Sequence, residues 1–184
     1  MEINSDIFNS ELCKLAELIR QTTEENNLTM VLPGLVVAYK KGMEMKKVIV
    51  VSPEGVPYDS SERSEYYYEM GRETRKNFDS VLFVFMVGEV WIGTGTAIRP
   101  SDDPNRVEAV AITGRTLDGR ENTYLYDIKR GFKDKMIFKE REVFLAGSQE
   151  GLKAFRLRDF FDGYTSKSKE GGSWKGTLLP MQEV

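Results

Sequence analysis

Six side chains in one short stretch carry most of the chemistry this chain can offer: Trp91, Arg99, Asp102, Asp103, Arg106 and Glu108. Asp102, Asp103 and Glu108 are hard oxygen ligands of the kind that bind Mg²⁺ or Ca²⁺, although their spacing matches no metal motif. Gly93-Thr94-Gly95-Thr96 could turn backbone amides toward a phosphate, with Arg99 and Arg106 adding charge. That run lacks the Lys-Ser/Thr pair of a P-loop and the full dinucleotide fingerprint. A third use is structural. Arg106 and Glu108 stand two apart, share a strand face, and could pair with each other or with Arg99 and Asp103 to pin the loop. Ser-Asp-Asp-Pro is itself turn chemistry, in which aspartate caps backbone amides. The ion-pair cluster is the use these residues favour.

Composition narrows the chemistry further. The 184 residues contain no histidine and a single cysteine. Ser-His-Asp and Cys-His catalysis, imidazole bases and histidine zinc sites are therefore excluded, as are thiolate zinc clusters and CxxC redox chemistry. An enzyme built from this chain must use carboxylates, lysine, tyrosine, hydroxyls, an oxygen-bound metal or an imported cofactor. The net charge is −3, so bulk charge does not point to nucleic acid. The lone Cys13 cannot form an internal disulfide, and Met1–Phe8 lacks the basic and apolar regions of a signal peptide. Both suit a cytoplasmic location with no membrane partner.

The elements that must position the loop follow from hydrophobic periodicity. Val81–Val87 is apolar at every position; without alternation, both faces must be covered, which predicts a central strand extending to Trp91 and Ile92. Phe8, Leu12, Leu15, Ala16 and Ile19 recur at helical spacing after a cap at Ser5 or Asp6. Met30–Tyr39 and Lys47–Ser52 read as a hairpin, with Pro33-Gly34 marking an edge position or a bulge. Asp59 and Glu62 have capping-box spacing and open a second helix ending near Asn77. Tyr66, Tyr67 and Tyr68 cannot share one helical face, so at least one ring is expected to be exposed. Val107–Gly114, Asn122–Arg130 and Met136–Leu145 form a meander. Asp118-Gly119 makes its tight turn, and Lys139–Glu142 protects an edge with charge. Gln149–Phe161 is a last helix. The order α-β-β-α-β-β-β-β-α describes a single α+β domain over residues 1–163, a helix/sheet sandwich with a mostly antiparallel mixed sheet. A Ser-, Lys- and Gly-rich flexible tail follows over 164–184.

Trp91, the run Pro100-Ser101-Asp102-Asp103-Pro104-Asn105-Arg106-Val107-Glu108-Ala109 and Asp118-Gly119-Arg120 together resemble a pattern in small uncharacterised prokaryotic α/β proteins. The likeness covers about thirty residues. That family has no assigned activity, so the resemblance implies no substrate, cofactor or catalytic residue. Arg99–Asp103 also resembles the Pro-Ser-x-x-Asp end of the JAB/MPN metalloprotease motif. The His-x-His that should precede it falls in Trp91–Gly95, where no histidine stands, so an active zinc site of that type is excluded.

The functional expectation is a non-enzymatic module that binds a protein partner or forms a homo-oligomer. It rests on the missing catalytic motifs, the Tyr66–Tyr68 rings and the apolar chain end at Trp174, Leu178, Leu179 and Met181. The alternative is a histidine-free enzyme using carboxylates of the 93–108 loop, with Mg²⁺ as the metal such a site would take. A weaker alternative is nucleic-acid binding through Lys129–Arg141 and Lys167, Lys169 and Lys175.

Overall fold

The computed structural model describes residues 5–31, 33–51, 56–57, 59–93, 102–141, 155–167 and 177–181. Its elements are α1 (Ser5–Glu25), β1 (Gly34–Lys41), β2 (Glu44–Val51), α2 (Ser60–Asn77), β3 (Val81–Ile92), β4 (Val107–Thr116), β5 (Glu121–Arg130), β6 (Met136–Arg141), α3 (Phe155–Thr165) and β7 (Thr177–Pro180). The strands form one sheet in the order β6-β5-β4-β3-β1-β2-β7, with every neighbouring pair antiparallel. This is the α+β arrangement the periodicity predicts. No helix among the described residues is long and apolar enough to cross a membrane.

β3 stands in the middle of the sheet, and its unbroken apolar run is used on both faces. Phe83, Phe85 and Val87 pack with Phe8, Leu12, Leu15 and Ala16 of α1. Val81 and Val84 pack with Tyr67 and Met70 of α2 and with Leu157, Phe160 and Phe161 of α3. Each fully covered ring contributes about 1.5–3 kcal/mol of apolar transfer, so this strand is the anchor of both layers. α1 is further tied to β2 by Glu11, whose carboxylate meets Lys14 at 2.8 Å and Lys47 at 2.5 Å.

The second layer depends on two glycines. A Cβ on Gly71 of α2 would lie 1.9 Å from the Phe160 carbonyl oxygen, and one on Gly163 of α3 would lie 1.9 Å from the Tyr68 carbonyl oxygen. The two helices therefore touch backbone to backbone, each using the other's missing side chain. α2 begins as predicted, with the Asp59 carboxylate accepting from the Ser61 and Glu62 amides at 2.7 and 3.2 Å.

Four expectations are corrected. β1 is not an edge strand: it lies between β3 and β2. Pro33 precedes its first residue and removes no ladder hydrogen bond, and the bulge falls instead where Ala38 and Tyr39 face Phe83 and Val81, leaving Leu82 unpaired. None of the three tyrosines is exposed. Tyr67 is buried, which pushes its hydroxyl up to about 12; Tyr68 donates to Ser166 Oγ at 3.0 Å; and Tyr66 packs edge-on against Tyr67. The packing of α3 against α2 consumes the surface that would have displayed them. Finally, 164–184 is not wholly a tail. Tyr164 and Thr165 complete α3, and β7 pairs with β2 through Val48–Val51. Trp174 and the other residues of 168–176 lie outside the described residues.

Candidate functional site

At the far end of β3, the β3–β4 pairing places Trp91 opposite Glu108 and Ile92 opposite Val107. Trp91 is 48% exposed. The Arg106 guanidinium lies over its indole at 4.9 Å from the ring centre, a cation–π contact worth on the order of 0.5–1 kcal/mol at an open site. Asp103 is fully buried, and Oδ1 accepts from the Asn105 amide at 2.8 Å. Its carbonyl accepts from the Arg106 amide at 3.1 Å and from Arg106 Nη1 at 3.4 Å. This is the aspartate turn that Ser-Asp-Asp-Pro encodes, and Asp102 stands exposed beside it. Arg99 and Thr94–Thr96 lie outside the described residues, so the phosphate-loop reading and any Arg99 pair fall outside them too.

Glu108 does not pair with Arg106. It accepts from Arg130 Nε at 2.9 Å. Arg130 Nη2 donates to Glu89 at 2.9 Å and Nη1 donates to the Thr29 carbonyl. The other Glu89 oxygen takes the Val31 amide at 2.7 Å. One guanidinium at the end of β5 thus joins β3, β4 and the α1–β1 connection, and its neighbouring carboxylates hold its proton more tightly than usual despite the opposing effect of burial. Among the described residues no three carboxylate or cysteine side chains group around a point that could hold a metal ion. Asp103 and Glu108 are committed in different directions, to a turn amide and to arginine, and Asp102 is exposed.

Glu89 and Arg130 are the members that the sequence reading overlooked. Glu89 had a signal, being the one charge in the otherwise apolar run Val81–Ile92. Arg130 had none, because its partners stand 22, 41 and 101 residues away. What these residues do together is structural: Arg130 ties Glu89 and Glu108 to the Thr29 carbonyl, and Asp103 and Arg106 close a turn beside Trp91.

The opposite end of β3 has a different character. A groove of about 1000 Å³ opens there, lined by Lys40, Arg72, Arg75, Lys76 and Lys167, with Asp79 the one acid among the lining residues. Tyr164 forms part of its wall, and its hydroxyl is saturated. It donates to the Phe78 carbonyl at 2.9 Å and accepts from the Val81 amide at 3.0 Å and from Arg75 at 3.4 Å. No protein-family model matches this chain, and no curated protein or solved structure matches it either.

Proposed function

We propose that the protein is a non-enzymatic, cytoplasmic binding module that works by protein–protein contact, and that the contact it makes is with a second copy of itself. The observation that carries this is Phe132. It stands 82% exposed at the head of a β5–β6 turn in which Lys133 and Asp134 both hold left-handed backbone, at φ 57° and 58°. Two consecutive non-glycine residues in that region cost on the order of 1 kcal/mol each, a cost borne while displaying an aromatic ring to solvent. Also exposed are Met30, at 56%, and Ile137, at 51%, with Leu28, Trp91 and Val107 open as well. They belong to one end of the sheet, because the Met136 amide donates to the Leu28 carbonyl at 3.3 Å and Lys135 donates to Asn27 at 2.6 Å.

Exposed apolar groups gathered at one end of a domain are characteristic of an interaction surface. Lys133 and Asp134 give this one both signs of charge, so two copies meet without net repulsion. Edge-to-edge sheet pairing is the less favourable route. β6 carries Lys139, Glu140 and Arg141, and β7 is four residues long and ends in Pro180, both devices that discourage strand addition.

Light scattering on the intact chain tests the reading. The expected mass is twice 21.0 kDa, returning to the monomer value in the double variant Phe132→Asp/Ile137→Asp with its thermal melt unchanged. A wild-type monomer that also co-purifies with no protein would overturn it.

A further inference from the structure

We infer that the groove between the ends of α2 and α3 is a binding site for a small phosphorylated molecule with an apolar or aromatic body. It stands apart from the association proposed above, at the other end of β3. The groove gathers cations on a protein whose net charge is −3. Two of the five are neutralised next door: Arg72 by Glu69 at 2.8 Å and Lys76 by Glu73 at 2.7 Å. The other three are in surplus. Arg75 is held by neutral oxygens, the Asp79 carbonyl at 2.7 Å and the Tyr164 hydroxyl at 3.4 Å, and lies over the Tyr164 ring at 5.4 Å. It is thereby fixed in place with no carboxylate hydrogen-bonded to it, Asp79 being the anion that acts on it from nearby. Lys40 and Lys167 make no ion pair among the described residues.

A fixed guanidinium accompanied by two exposed ammonium groups suits a phosphate, which takes several charge-assisted donors at once. Val81, Leu82, Leu117 and Tyr164 add an apolar part to the lining, beside the hydroxyls of Ser80, Thr165 and Ser166. The volume matches the upper range of small-molecule sites, which favours a compact ligand over a long polyanion. Asp79, the acid in the lining, selects against additional negative charge on the ligand body.

The test is calorimetric titration of the intact chain at low salt with ADP, with inorganic pyrophosphate and with a single-stranded oligonucleotide. The variants are Lys40→Ala/Lys167→Ala and, as a control at the far end of the sheet, Lys129→Ala. Lys40 and Lys167 are exposed, so their loss leaves folding intact. The inference expects micromolar ADP binding that weakens by about tenfold or more in the double variant and is unchanged in Lys129→Ala. It expects ADP to bind more tightly than pyrophosphate. No binding of ADP or pyrophosphate at millimolar concentration overturns it, as does binding indifferent to the double variant. Equal affinity for pyrophosphate removes the apolar body from the assignment. An oligonucleotide bound more tightly than ADP through Lys40 and Lys167 replaces the small molecule with a nucleic acid.

Discussion

The two ends of β3 lie about 35–40 Å apart along a single strand and solve opposite problems with the same residue types. At the Trp91 end, Arg130 is paired with carboxylates: it meets Glu89, Glu108 and the Thr29 carbonyl. The Arg130 charge is met there by two carboxylates, and Trp91 and Val107 stand open to solvent. At the Val81 end, Arg75 is hydrogen-bonded only by neutral oxygens, and Val81 and Tyr164 pack into the helix layer. The lesson concerns how arginines are read. Their number and spacing say little; what decides between a brace and a binding group is whether the acceptors around them are anionic or neutral.

Substitutions at three positions test this comparison in descending order. Gly163→Ala strikes the Val81 end through its scaffold. The new Cβ meets backbone at 1.9 Å, which no rotamer relieves, so α3 must leave α2; a loss of about 3 kcal/mol or more is expected in chemical denaturation. Retention of wild-type stability would mean that the helices do not cross at these glycines. Arg130→Ala strikes the other end. It removes donors from Glu89, Glu108 and the Thr29 carbonyl, for an expected cost of about 2 kcal/mol. Arg130→Lys should recover little, because an ammonium cannot address three acceptors in a plane; full recovery by lysine would reduce the hub to simple charge.

The smallest effect belongs to Glu11, which lies between the two ends. Burial raises its carboxyl, but hydrogen bonds from Lys14 and Lys47 outweigh that and leave it below its ordinary value of 4.5. A carboxyl depressed in the folded state contributes stability that is fully present above 4.5 and lost as pH falls through the folded value. Melting temperatures should therefore decline below about pH 4.5. Glu11→Gln should flatten that part of the decline at a cost of about 1 kcal/mol at neutral pH. An unchanged acid limb in the variant would assign the decline to other groups.

How much of this was legible beforehand depended on how local the cause was. β3 could be read from seven apolar residues, α2 from its Asp59 cap, and the β4–β5 turn from Asp118-Gly119, where Gly119 takes φ +92°. β6 as a sheet edge was legible for the same reason. Pro33 misled because a proline next to a strand and a proline inside one look alike in sequence. β7 was hidden because four residues after a Ser- and Gly-rich run carry no periodicity, and only the open edge of β2 makes a strand of them. The loop residues Trp91, Asp103, Arg106 and Glu108 could be named, but not their partners. Arg130 arrives through two strand registers, and the groove is assembled from α2, α3, β1 and β3, none of which holds a motif. The tyrosine patch failed for a related reason: its cover, α3, lies about ninety residues further along the chain.

The contact at Gly71 and Gly163 has one more consequence. Helices that meet through side chains can slide by exchanging rotamers, whereas helices that meet through backbone have nothing to exchange. The groove wall built on α2 and α3 is therefore preorganised. A ligand entering it need not order the helices first, and the entropy that a looser wall would lose on binding has already been given up in folding.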